Sequence, residues 1–283
     1  MIRSGHTIFK TVLNRVNKSE QPVKSAAWPD NRRTAGFILA CGVAFIVSVA
    51  GTVHYCRSMC CELDMPGGWT MSLMWLGMRG QTGAAAATSF LLMWLAMMVA
   101  MMMPSALPTF LKAGYSLNKT RSAHTPALMA AGYFTIWLAI GTGIYALGMA
   151  LAATAMHWEA FSRAVPVLSG AALVAAGAFQ FTGWKMTGLM RCRSPLGCAA
   201  AGPDGNADFL LGCKQGAACC VCCTGPIIVQ LALGMMNPLV LVGVAAVIAA
   251  EKLLPRPERV ARVAGSMAIM MGVVIIIRRL LVG

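Results

Sequence analysis

The sequence predicts an all-α protein, a polytopic bundle of about seven transmembrane helices, and three observations predict this class. Of the 283 residues, 58% are hydrophobic and only 11% are charged, whereas about a quarter of the residues in a soluble domain are charged. Seven stretches approach the roughly 20 apolar residues that cross a bilayer. Glycine is abundant, at 29 residues. Glycine is frequent in transmembrane helices, where it allows close helix packing. The composition excludes an ordinary soluble enzyme and a disordered chain.

The predicted elements follow the chain in order. Residues 1–34 form a basic cytoplasmic tail, because no apolar core of a signal peptide occurs in the first thirty residues. Residues 35–283 are expected to form one transmembrane domain with an outer loop at 55–83 and an inner loop at 185–214. The predicted spans are residues 35–54, 84–111, 126–153, 165–184, 215–236, 238–254 and 262–280.

The positive charges predict the orientation of these spans. With the N-terminus in the cytoplasm, 18 of the 23 Lys and Arg residues lie on the cytoplasmic side. Positive residues concentrate on that side of membrane proteins, so the C-terminus is expected in the periplasm. The sequence therefore predicts a multi-pass protein of the bacterial inner membrane. The net charge of +14 is explained by these loops and does not indicate a nucleic-acid partner.

The second predicted span carries a block of methionines. Met93, Met97 and Met101 recur every four residues and share one helix face, and Met98 and Met102 form a neighbouring line. Neutral thioethers can hold Cu(I) or Ag(I) without placing a negative charge in lipid. Methionine is also flexible packing material in an apolar helix, so the block has two explanations, metal binding and packing.

The fifth predicted span contains the sequence CCVCC. Cys219, Cys222 and Cys223 lie at positions i, i+3 and i+4 and so share one helix face, while Cys220 adds a second overlapping CxxC pair. Thiolates bind Cu(I) and Zn(II) tightly. Four cysteines in five residues favour metal ligands over small buried hydrophobes, although the spacing does not fix which metal they bind.

A third set of soft donors lies in the predicted outer loop. Cys56, Met59, Cys60, Cys61 and Met65 could capture a metal from the periplasm. Because this compartment is oxidising, two of the three cysteines could instead form a disulfide.

The predicted inner loop holds Cys192, Cys198 and Cys213. These thiols could pass metal to or from a cytoplasmic partner, or they could be spare reduced thiols.

The other chemistry-bearing residues exclude several classes of function. No acidic or histidine relay lies near the predicted midplane, and Glu251 and Lys252 are expected to snorkel or pair at the end of the sixth span. The chain has no P-loop, no Ser/His/Asp pattern and no haem attachment motif. It is therefore predicted not to be an enzyme and to bind no organic cofactor.

Several segments together resemble a bacterial family of predicted metal-binding integral membrane proteins, a domain of unknown function with proposed copper-chaperone members. The resemblance covers about residues 65–255. It rests on the segments MPGGWTMSLMW (65–75), MWLAMMVAMMMPSALP (93–108), GYFTIW (132–137), KMTGLMRCRSPLG (185–197), CCVCC (219–223), GMMN (234–237) and EKLLP (251–255). Their order and spacing together are specific.

The resemblance implies an inner-membrane helical bundle that binds copper and serves the maturation of copper enzymes such as tyrosinases. The family's functional positions fall on Met97, Met98, Met101, Met102, Cys192, Cys219, Cys222 and Cys223. Many relatives carry an additional Cys and a His in the segment before R-S-P, where this chain has Gly188 and Arg191, and an aromatic residue where it has Thr224. The inner-loop site is therefore expected to be weakened here.

Three functions are compatible with the sequence. The leading hypothesis is a Cu(I) chaperone or permease that captures the ion outside, moves it along Met101, Met97 and Met93, and holds it on the CCVCC cysteines. Its partners would be the bilayer, the copper ion and a periplasmic or membrane copper enzyme. One alternative is the uptake of mercury or another soft metal by the thiols. Another is an assembly subunit of a membrane copper-enzyme complex, in which the sulfur residues only pack.

Overall fold

A computed structural model of the protein describes residues 31–58, 62–72, 75, 82–116, 125–193 and 205–282. Within these ranges the chain forms eight helices and one two-stranded sheet. The elements in chain order are α1 (Asn31–Ser58), β1 (Glu62–Met65), β2 (Trp69–Ser72), α2 (Gly83–Ser116), α3 (Thr125–His157), α4 (Glu159–Phe179), α5 (Gly183–Arg193), α6 (Gly205–Leu233), α7 (Pro238–Leu253) and α8 (Pro257–Val282).

Six of the described helices are long and apolar enough to cross a membrane, namely all except α5 and α7. All seven segments predicted as spans are largely helical, which confirms the helical class. The sixth of them corresponds to α7, which has 16 residues and is shorter than the roughly 20 that a span requires. The described part of the chain is therefore helical, with six helices that could cross a membrane by length and composition, and the number of spans and their orientation stay predictions.

The predicted outer loop contains a β-hairpin, which the all-α prediction did not include. Strands β1 and β2 are antiparallel, with Met65 paired to Trp69 across the turn. Gly67 and Gly68 in that turn have φ values of 105° and 65°, which glycine adopts without steric cost. The hairpin is held against α4, because Trp69 Nε1 donates a hydrogen bond of 2.9 Å to the carbonyl oxygen of Ser162.

The predicted inner loop is also structured in part. Residues 185–193 belong to α5, and residues 205–214 form the first turns of α6. Helix α5 packs against α6 and α7. The sequence at 185–193 alternates polar and apolar residues without a clear period, so its helix depends on this packing more than on its pattern.

Helix α2 is the centre of the bundle. In α2, 56% of the span is buried, against 11% in α1, which presents most of its surface outward. Helices α1, α3 and α7 pack against α2. Its own side chains Phe90 and Trp94 belong to the main core cluster, together with Trp137 of α3. Methionine side chains on such an enclosed, central helix can contact several neighbouring helices.

Two glycines bring α3 close to α6. A Cβ atom at Gly132 would collide with the carbonyl oxygen of Phe209, and one at Gly212 would collide with that of Met129. Small residues of this kind let transmembrane helices approach backbone to backbone. The close approach places Tyr133 of α3 against Cys219 of α6, as described next.

Candidate metal centre

Three thiols of α6 form the centre of the site. The exposed fractions of Cys219, Cys222 and Cys223 are 0%, 0% and 1%. Their sulfur atoms are close, with Cys223 Sγ 3.7 Å from Cys219 Sγ and 3.5 Å from Cys222 Sγ. Cys220 is half-buried and lies off this face. The helical spacing therefore predicted correctly which three of the four cysteines point together.

Cys192 of α5 joins these thiols, although the sequence placed it in a separate loop cluster. The Sγ atoms of Cys192, Cys219 and Cys222 all lie within 4.8 Å of one another, and all three residues are buried. Gln215 Nε2 donates a hydrogen bond of 2.6 Å to the carbonyl oxygen of Cys192, which fixes the end of α5 against α6. The site is therefore built from two helices.

Gly188 explains how α5 comes so close to α6. A Cβ atom there would lie 2.9 Å from Val221 Cγ1 and 3.3 Å from the backbone nitrogen of Cys222. A larger side chain at this position would push the two helices apart. The departure from the family pattern at Gly188 therefore accompanies a close helix contact, while Arg191, the other departure, is exposed.

The methionine block lies beside the thiols. All five predicted ligands, Met93, Met97, Met98, Met101 and Met102, are at most 4% exposed. We call these five side chains the methionine ladder. Met102 Sδ lies 3.9 Å from Cys219 Sγ, so the ladder and the thiols meet, as the sequence predicted for neighbouring helices at similar depth.

Polar contacts along the ladder identify its orientation relative to α6. Gln230 Nε2 donates to Met97 Sδ at 2.9 Å, whereas Met102 meets Cys219, eleven positions earlier on α6. The two helices therefore run in opposite directions. The Met93 end of the ladder points toward the end of α6 at Leu233, and the Met102 end points toward the thiols.

Two polar residues that the sequence analysis did not assign to the site enclose Cys219. Lys252 Nζ lies 3.0 Å from Cys219 Sγ and 3.4 Å from Met102 Sδ. The hydroxyl of Tyr133 donates to the same Cys219 sulfur at 2.9 Å. Lys252 was expected to snorkel or pair; it is 8% exposed, so it does not snorkel to a surface, and its ammonium contacts sulfur instead. The signal that could have identified Lys252 as part of the site was its position in an otherwise apolar helix.

A buried ion pair ties α5 to α7 beside the thiols. Lys185 Nζ lies 2.7 Å from Glu251 Oε2, and the two side chains are 0% and 1% exposed. Arg193 Nη1 donates to the carbonyl oxygens of Glu251 and Leu254 at 3.2 and 2.7 Å. Glu251 was expected to snorkel or pair, and the structure shows that it pairs.

Of the candidate ligands of the outer loop, the structure describes Cys56 and Met65, and neither belongs to this centre. Cys56 Sγ lies 3.9 Å from Met236 Sδ, a methionine of the GMMN segment that the sequence analysis did not propose as a ligand. Met65 packs in a second apolar cluster with Ala152 and Ala155. Met59, Cys60 and Cys61 lie outside the described residues.

The comparison with protein families identifies the chain. The sequence profile of the PpoB2 family, described as copper chaperone, matches residues 91–275, which is more than half of the 283 residues. This chain belongs to the copper chaperone family. The resemblance found from the sequence motifs is thereby confirmed. Comparison with curated proteins and comparison with solved structures each returned no match.

The copper chaperone match contains the whole buried sulfur centre. The methionine ladder, Cys192, the CCVCC cysteines, Tyr133 and Lys252 all lie within residues 91–275, while Cys56 and the hairpin precede the match. Membership of a copper chaperone family implies handling of metal as cargo. The donor set agrees with that role, because thiols and thioethers are the soft ligands that Cu(I) prefers.

Proposed function

We propose that this protein carries Cu(I) as its cargo on the buried thiols of α5 and α6 and supplies it to a copper enzyme, as a chaperone or permease of the bacterial inner membrane. The observation that carries the proposal is the meeting of three cysteine sulfurs within 4.8 Å, contributed by two helices and enclosed in the bundle. Such a cluster fits a small soft ion that accepts two or three ligands.

The chemistry of the donors favours Cu(I) over harder ions. In the part of the chain that the structure describes, the group of ligating residues consists of cysteines alone. The Met102 thioether lies 3.9 Å from Cys219 Sγ. The carboxylate oxygens that Mg²⁺ and Ca²⁺ favour are not part of this group of described residues.

The ladder supports a route from one end of the bundle to the thiols. Neutral thioethers bind Cu(I) moderately, and conduction needs several sites of moderate strength. The contact between Cys56 and Met236 lies near the end of α6 to which the Met93 end of the ladder points. In this proposal Cys56 and Met236, with Met59, Cys60, Cys61 and Met65 as further candidates, receive the ion, the ladder passes it on, and the thiols hold it.

The test is the copper content of the detergent-purified protein, expressed with copper and kept reduced. We expect near-stoichiometric copper in the wild type. The Cys192→Ser/Cys219→Ser/Cys222→Ser variant should lose it, because the holding ligands are gone. The Met97→Leu/Met101→Leu variant should load more slowly from a Cu(I) donor, because the route is interrupted while the holding thiols remain.

Two matched variants serve as controls. Cys41→Ser removes a buried cysteine of α1, and Met270→Leu/Met271→Leu removes two methionines of α8 that are 68% and 40% exposed. Both should retain wild-type copper. A folded wild type that carries no copper and copurifies with another membrane protein would contradict the proposal. It would favour the assembly subunit, in which the sulfur side chains only pack.

A further inference from the structure

Lys252 is a buried cation whose close neighbours are sulfur atoms. Its ammonium nitrogen lies 3.0 Å from Cys219 Sγ and 3.4 Å from Met102 Sδ. Among the residues that the structure describes, no carboxylate lies within ion-pair distance of it. A buried charge without a compensating charge is strongly destabilising. The thiol cluster is therefore the group that must balance Lys252.

The neighbouring residue on α7 has a different partner. Glu251 faces Lys185 of α5, with Nζ 2.7 Å from Oε2, and this pair is neutral by itself. Two adjacent residues of α7 thus serve two separate charge pairs. One joins a carboxylate to a lysine, and the other joins an ammonium to sulfur.

We infer that Lys252 is the counter-ion of the bound metal and makes the cluster prefer monovalent Cu(I) and Ag(I) to divalent Hg(II). This inference rests on the proposed function. A monovalent ion held by two thiolates forms a complex with one negative charge, which the Lys252 ammonium balances. Hg(II) held by two thiolates forms a neutral complex, which leaves the ammonium buried without a counter-charge.

The binding step is balanced without a redox partner. A thiol that becomes a ligand and still carries its proton releases that proton to water as its sulfur binds the metal, and no electron is transferred. With Cu(I) or Ag(I), two sulfur–metal bonds form and the metal–thiolate complex and the ammonium together carry no net charge. Hg(II) reaches the same neutrality only by recruiting a third thiolate, against its preference for two ligands. Lys252 therefore acts on the choice of metal through charge, while the thiols make the bonds.

The experiment measures the affinities of the full-length protein for Ag(I), an air-stable substitute for Cu(I), and for Hg(II), each by competition with dithiothreitol. The measured quantity is the ratio of the two affinities. In Lys252→Met and Lys252→Gln we expect this ratio to fall by about tenfold or more, because the monovalent complex loses its counter-ion and the Hg(II) complex loses its unbalanced ammonium. Lys252→Arg keeps the charge and should stay within about threefold of the wild type.

A matched control removes the other buried lysine without changing the net charge. Lys185→Met/Glu251→Gln should keep the wild-type ratio, because these two side chains pair with each other and their loss leaves Lys252 beside Cys219 and Met102. The inference is overturned if a folded neutral variant at Lys252 keeps the wild-type ratio. It is also overturned, whatever the variants do, if the wild type shows the same Ag(I)/Hg(II) ratio as a simple dithiol without a nearby cation. Failure of the proposed function looks different, because the wild type would then bind neither Ag(I) nor Cu(I).

Discussion

The methionine ladder and the thiol cluster are both buried sulfur sites, yet they are built in different ways. The ladder lies on a single helix, and its neutral thioethers belong to a largely apolar core, with polar contacts from Gln230 at Met97 and from Lys252 at Met102. The thiol cluster is assembled from α5 and α6, and it is bordered by Lys252 of α7 and Tyr133 of α3. Four helices thus contribute to the cluster and its polar border.

The difference follows from charge. A thioether stays neutral when it binds Cu(I), so one helix can carry a whole row of them through an apolar interior. A thiolate brings a negative charge, which is costly in such an interior unless a cation and hydrogen-bond donors meet it. Those partners come from other helices, so only a folded bundle can form the thiol site. The ladder suits transfer, and the cluster suits retention.

The largest expected effect is on Cu(I) affinity, and it distinguishes the thiols, which retain the ion, from the methionines, which transfer it. Cys219→Ser should weaken Cu(I) affinity by more than about a hundredfold, above the 10–100-fold cost of losing an outer-shell partner. Met97→Leu should change that affinity by less than about threefold, because its thioether contacts Gln230 and not the thiols. Competition with a chromogenic Cu(I) chelator measures both. Equal losses in the two variants would show that ladder and cluster form one binding site.

The next expected effect concerns the support of the cluster. Lys185→Met leaves Glu251 as a buried charge without its partner, and breaking such a pair costs about 3–5 kcal/mol of the free energy of unfolding. Reversible unfolding by increasing fractions of denaturing detergent gives this quantity. The Lys185→Met/Glu251→Gln variant should regain most of the lost stability. If the single variant is as stable as the wild type, the pair does not hold α5 to α7.

The smallest expected effect concerns the hydrogen bond on Cys219. Tyr133→Phe removes the hydroxyl that donates to Cys219 Sγ at 2.9 Å while keeping the ring in the core. We expect Cu(I) affinity to fall by about tenfold, the lower end of the range for outer-shell partners. Tyr145→Phe, on the same helix and in contact with Phe90, is the matched control. An unchanged affinity in Tyr133→Phe would show that the Tyr133 hydroxyl does not contribute to metal binding.

The helical period accounts for what could be predicted about the site. A repeat of 3.6 residues places Cys219, Cys222 and Cys223 on one face and turns Cys220 away, and the structure agrees. The same period predicted the lines of methionine on α2. These are local properties, because positions three and four residues apart on one helix are neighbours in any fold.

Other features were missed although the sequence carried a signal for them. The hairpin follows from the Pro-Gly-Gly turn between two short strands, a signal that the membrane composition masked. Lys185, Glu251 and Lys252 stood in apolar surroundings, where ionisable residues usually have a function or a partner. Placing Lys185 in the inner loop, and Glu251 and Lys252 at the end of a span, hid their burial.

The sequence by itself determined the helical membrane class, the family and the faces on which the sulfur side chains lie. Composition, span length and helical spacing are read along one chain and need no knowledge of which helices touch. Only the tertiary structure decided that Cys192 completes the thiol cluster and that Lys252, not Lys185, faces it. These pairings join residues far apart in the chain, such as Lys185 and Glu251 at 66 positions and Lys252 and Met102 at 150, and they depend on close helix approaches that no local pattern encodes.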